Sequence, residues 1–190
     1  MKRKTLLLFF LIACIPIYIH AQKVAVKTNL VADATSTINL GVEIATGNKH
    51  SLDLYANYNP WELGNQKQFK HLLFQPEWRY WFCERFSRHF IGIHAHAAIF
   101  NVGGVTMPFG LWKDLKKYRY EGELYGAGIS YGYHWLLGEH WNLEANIGVG
   151  YAYIHYDKYK CRTCGRLQEK GGKYHYVGPT KAAISLVYLF

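Results

Sequence analysis

The stretch GPTKAAISLVYLF, residues 178–190, sets Thr180, Ala182, Ile184, Leu186, Tyr188 and Phe190 on one face against Lys181 and Ser185 on the other. A period of two over this length is that of a strand with unlike faces. The stretch stops on Phe190 without a polar tail, and a loose apolar end is an aggregation hazard, so this strand is expected to dock against another.

Working backwards, the same period recurs. WNLEANIGVGYAY (141–153) opposes Trp141, Leu143, Ala145, Ile147, Val149, Tyr151 and Tyr153 to Asn142, Glu144 and Asn146. LYGAGISYGYHW (124–135) opposes Tyr125, Ala127, Ile129, Tyr131, Tyr133 and Trp135 to small residues and His134. IGIHAHAAIF (91–100) sets isoleucines and alanines against His94 and His96, and HLLFQPEWRYWF (71–82) sets Leu72, Phe74, Trp78, Tyr80 and Phe82 against Gln75, Glu77 and Arg79. SLDLYANY (51–58), TINLGVEIA (37–45) and KVAVKTNL (23–30) complete eight alternating stretches. Each is about 8 to 14 residues, enough to cross a bilayer when tilted, and an even number suits a single-chain bacterial barrel.

The connections alternate. TGNKH, CERFSRH and LLGEH are short, whereas NPWELGNQKQFKH, NVGGVTMPFGLWKDLKKYRYEG and HYDKYKCRTCGRLQEKGGKYHYVG are long. Short periplasmic turns and longer outer loops are the usual asymmetry of outer-membrane barrels. An unpaired edge in hydrocarbon costs several kcal/mol per group, so the last strand is expected to pair with the first. The expected fold is therefore all-β, an eight-stranded antiparallel up-and-down transmembrane β-barrel over residues 22–190. A soluble lipocalin-like barrel is the alternative, and it would put the apolar faces inside.

Half of the residues are hydrophobic and 17% are aromatic, which favours strands over helices. Residues 1–21 open with Lys2, Arg3 and Lys4, continue apolar and end at Ala21, the form of a Sec-type export signal cut before Gln22. Leu11-Ile12-Ala13-Cys14 offers a rival lipoprotein cleavage that would leave a lipid on Cys14. Loss of residues 1–21 lowers the formal charge from +9 to +6. No later stretch has the ~18 uninterrupted apolar residues of a spanning helix, so strands are expected to make any span.

With the apolar faces on lipid, Lys27, Glu43, Asp53, Glu77, Arg79, Glu144 and Lys181 line the interior. Three cations against four carboxylates in so narrow a space predict an ion-paired filling and little conductance. His94 and His96 share the inward phase and read first as hydrogen-bonded interior histidines; metal binding or catalysis is the sharper alternative. Ser130, His134 and Glu139 could form a hydrolase set acting on lipid A, but their spacing matches no nucleophile motif. The tyrosines and tryptophans near strand ends predict two interfacial girdles, with a carbohydrate platform on Trp61 and Trp112 as the alternative.

Lys113, Lys116, Lys117, Arg119, Lys158, Lys160, Arg162 and Arg166 fall in two long links and make an expected cationic outer surface. Its partner would be lipopolysaccharide phosphate, through charge-assisted hydrogen bonds that salt screens; solvated loop charge with no partner is the alternative. Nucleic acid is a poor partner for a protein expected to face outside the cell. Cys161 and Cys164 in CRTCG suit a loop-pinning disulfide in an oxidising compartment, or half of a zinc site completed by His155 or His175. Cys83 would lie at the opposite end, as a free thiol or one paired with another chain. No cofactor is expected.

The stretches KTNLVADATSTINLGVEI, SLDLYANYNPW, LLFQPEWRYWFCERFSRHFIGIHAHAAIFNVGG, CRTCG and GPTKAAISLVYLF together resemble a family of Bacteroidetes outer-membrane barrels defined only as a domain of unknown function. The resemblance implies an envelope role beside fimbrial or adhesin components and supplies no catalytic residues. Separately, the apolar, aromatic-ended strand that closes on Phe190 resembles the C-terminal signature read by the barrel-insertion machinery. The expected function is non-enzymatic: an envelope structural or surface-assembly protein binding lipopolysaccharide or a fimbrial partner. An outer-membrane lipid enzyme or a narrow pore is the alternative.

Overall fold

The computed structural model of the chain describes residues 24–63, 67–104, 115, 117–160 and 165–190. The elements are β1 (Val24–Asn29), α1 (Leu30–Ala34), β2 (Ile38–Ala45), β3 (His50–Asn59), β4 (Glu62–Leu63), β5 (Lys67–Trp81), β6 (Arg88–Gly103), β7 (Arg119–Leu136), β8 (Trp141–Tyr159) and β9 (Leu167–Leu189). Eight of the strands form a closed antiparallel ring in the order β1-β2-β3-β5-β6-β7-β8-β9, with β9 returning to β1. The two-residue β4 pairs only with the start of β5. No helix among the described residues is long and apolar enough to cross a membrane, which leaves open a crossing by strands.

The terminal strand does dock. Ala25 pairs with Leu189 and Asn29 with Ser185, and the Phe190 amide donates to the Val24 carbonyl at 3.0 Å. Both ends of the ring's chain therefore meet at the rim that carries the short turns 46–49, 82–87 and 137–140. The opposite rim carries α1 and the longer connections.

Strand lengths depart from the sequence expectation. β1 has six residues, because the chain leaves the sheet at Leu30, where Asn29 Oδ1 accepts from the Val31 amide and caps α1. β5 to β9 instead run for 15 to 23 residues, through much of what reads as long loop. Residues such as His155–Tyr159 pair with Arg119–Glu123, so polar composition there marks a strand beyond the apolar belt. One face assignment is also corrected. Gly148 pairs with Lys181 but Val149 pairs with Pro179, leaving Thr180 in a bulge. The extra residue turns Thr180 inward beside Lys181, and Pro179 has no amide to continue the ladder.

The two surfaces of the ring are inverted relative to a water-soluble protein. Outward-facing Ile93, Ile129 and Ile147 are 61%, 63% and 61% exposed, and Ile93, Ile129 and Val149 stand side by side across three strands. Near the short-turn rim the outer face carries Trp135, Trp141, Tyr188 and Phe190, with Trp141 edge-on to Tyr188 at 5.0 Å. Toward the other rim Tyr58, Phe74, Tyr125 and Tyr151 are exposed.

Candidate functional site: the ring interior

The interior is layered along the ring axis. At the short-turn rim Ala25, Trp81, Phe86, Phe90, Val187 and Leu189 form an apolar cluster. Phe86 comes from the turn between β5 and β6 and adopts φ +59°, a conformation costly for a bulky residue. Its side chain is 3% exposed, so insertion into the ring mouth offsets that cost.

Above this cluster lie the seven charged residues named from the alternation, one or two from each of β1, β2, β3, β5, β8 and β9. Arg79 is at the centre. Its guanidinium lies 2.7 Å from Glu43, 2.8 Å from Asp53, 2.6 Å from Glu77 and 2.9 Å from Glu144. Lys27 reaches Glu43 at 2.6 Å and Asp53 at 3.3 Å, while Lys181 reaches Glu77 at 2.8 Å. A planar fork with five donors suits such a hub, and one flank of it packs on Phe90 with Cζ 4.4 Å from the ring centroid. Desolvation is offset here only because nearly every charge meets more than one opposite charge at hydrogen-bond distance.

Glycine makes the room. A Cβ on Gly41 would lie 2.6 Å from Lys27 Cγ, and one on Gly92 would lie 2.6 Å from Ser130 Oγ and 2.8 Å from Glu77 Cδ. Several neutral residues support the network that the alternation did not assign to it, among them Trp81, which is buried inside the ring and does not join the interfacial girdle expected of the strand-end tryptophans. Ser51 donates to Glu43 and accepts from Trp81 Nε1, and Asn146 donates to Glu77. Ser51, Trp81 and Asn146 share the phase of Asp53, Arg79 and Glu144, so parity alone could have found them. Thr180 could not be found so, because the bulge breaks parity.

The histidines are buried beside this layer. His94 shares a hydrogen bond with Thr180 Oγ1 at 2.9 Å, and its Nδ1 is 3.8 Å from Glu77. The His96 ring lies 5.7 Å from that of His94 between centroids, tilted by 36°. Among the described residues no group of three or more His, Cys, Asp or Glu could hold a metal ion. Ser130 Oγ has no hydrogen-bond partner, His134 Nδ1 is 3.6 Å from Glu144, and Glu139 sits in an exposed turn. The nucleophile–base bond of a hydrolase is thus not formed by these three residues.

Of the cationic set, Arg119 begins β7 and lies over the Tyr159 ring at 4.3 Å, and Lys158 in β8 lies over Tyr118 at 4.1 Å. Both belong to strands, a correction to their assignment as loop residues. Lys117, Lys160 and Arg166 are exposed at the same rim. Trp61 is 49% exposed and donates to the Ser36 carbonyl at 2.7 Å. Cys83 is free and exposed at the short-turn rim. The readings of residues 1–21, Cys14, Trp112, Lys113, Lys116, Cys161, Arg162 and Cys164 lie outside the described residues.

No curated protein and no solved structure matches this chain. A family signature does, over residues 6–190, which is nearly its whole length, and the chain accordingly belongs to the family described as Protein of unknown function (DUF3575).

Proposed function

We propose that this protein is an eight-stranded outer-membrane β-barrel, exported by the segment 1–21, with a non-enzymatic structural or surface-assembly role in the envelope. The observation that carries the reading is the inversion of its surfaces. Ile93, Ile129 and Ile147 are more than half exposed, while Arg79, Glu43, Glu77 and Glu144 are at most 1% exposed. In water that arrangement would expose a continuous apolar belt and bury a charge cluster, opposing the hydrophobic effect twice. In a bilayer the belt meets lipid and the closed ring leaves no edge unpaired at its level.

The rim carrying Lys117, Lys160 and Arg166 then faces outward, where cations pair with lipopolysaccharide phosphates or with an acidic fimbrial or other surface protein. The terminal strand ending at Phe190 serves as the segment presented to the insertion machinery. The deciding experiment is gel mobility of outer membranes with and without boiling. A shift on boiling is expected; recovery of an unshifted, soluble periplasmic protein overturns the reading.

A further inference from the structure

Beyond the charge layer, toward the α1 rim, the inner face changes character. Phe69, Leu73, Ala98, Phe100, Ala152 and Ile154 turn inward around a cavity of about 370 Å³. At its floor stand Asn57, His96 and Thr180, His71 interrupts the apolar wall, and Asn57, Phe69, His71, Leu73 and Thr180 also line a second cavity of about 300 Å³ over Lys27, Asp53 and Arg79. His96 is 6% exposed, and its Nδ1 makes no hydrogen bond; neither does the buried Asn57 Oδ1.

An apolar wall above a polar floor is the usual composition of a small-molecule site, and the volume lies at the lower end of the ~300–1,000 Å³ such sites occupy. Water would gain little from the wall, while His96 Nδ1 and Asn57 Oδ1 at the floor lack partners. The ring is too narrow at this level for more than one extended chain, because eight strands leave an interior only wide enough for side chains. The network below has four carboxylates to three cations, each cation already held, so an anionic head would add to a negative excess.

We infer that this cavity binds a single-chain amphiphile whose uncharged, hydrogen-bonding head rests on His96 and Asn57 and whose alkyl chain lies along Phe69, Phe100 and Ile154. The site is inside the ring, but its assay in a bilayer rests on the membrane reading above, which the boiling shift of the wild-type protein checks separately. The test is equilibrium binding of radiolabelled monooleoylglycerol to the full chain in phosphatidylcholine nanodiscs, with empty nanodiscs subtracted. One saturable equivalent is expected, with Ala152→Phe, which fills the cavity, binding about tenfold or more weaker. His96→Leu is expected to lose selectivity for monooleoylglycerol over an alkane of equal length. Ala98→Phe serves in place of Ala152→Phe if that variant does not give the folded, heat-modifiable form. Absence of saturable binding, undiminished binding in a folded cavity-filled variant, or equal or tighter binding of oleate overturns the inference.

Discussion

Arg79 faces four carboxylates, and among the described residues it is the one arginine in this charge layer. Arg79→Met leaves Glu43, Asp53, Glu77 and Glu144 with only Lys27 and Lys181 for neutralisation. Removing one partner from a buried ion network costs roughly 3–5 kcal/mol, so the folded band is expected to disappear at lower temperature or denaturant in this variant. Arg79→Lys keeps the charge but contacts fewer oxygens, and its stability is expected to fall between Arg79→Met and wild type. Wild-type stability in Arg79→Met would show that the network contributes nothing net. Asn29 joins three elements. Its Oδ1 accepts from the Val31 and Ile184 amides at 3.1 and 3.3 Å, capping α1 and holding β9 where β1 ends. Asn29→Ala is expected to lose about 1 kcal/mol, with faster hydrogen exchange at Ile184.

The long strands β7 and β8 hold the outer belt, and the sign of a substitution there discriminates between lipid and water. Ile129 is 63% exposed and pairs with Ile93 and Val149. Ile129→Arg is expected to cost about 2–4 kcal/mol if the position lies near a bilayer midplane, measured as reversible unfolding in lipid vesicles. A water-facing position would change by no more than about 0.5 kcal/mol. The turn between β5 and β6 acts differently, since it bends Phe86 at positive φ into the ring mouth. Together with Trp81 and Phe90 it stops that end of the interior.

For the molecule as a whole, an apolar stopper and a paired charge layer stand in series along the axis. Steady single-channel conductance in planar bilayers is therefore expected to be absent, and a reproducible open level would show that the interior is hydrated throughout. The cationic rim predicts a surface property. Combined Lys117→Glu, Lys160→Glu and Arg166→Glu is expected to weaken lipopolysaccharide binding in pull-downs and to remove most of its salt dependence, because exposed charges act through screened attraction. Unchanged binding would move the contact elsewhere on the protein.

Side-chain parity made the strands, both faces and all seven interior charges legible, because a pleated strand sends alternate residues to opposite sides whatever its neighbours are. Glu77 and Arg79, or Glu43 beside Ile44, need no tertiary information to be assigned to a face. Lengths and exceptions were not legible. The polar stretch at His155–Tyr159 reads as loop, yet it pairs with β7, since ladder hydrogen bonds depend on the partner backbone and hardly on side-chain polarity. Thr180 faces inward because the register slips at Pro179, an event that involves two strands at once. The choice of Arg79 as hub, the stopper built on Phe86 and the apolar cavity over His96 likewise arise from closure. Only a closed ring brings residues from β1, β3, β5, β8 and β9 within contact distance around one axis.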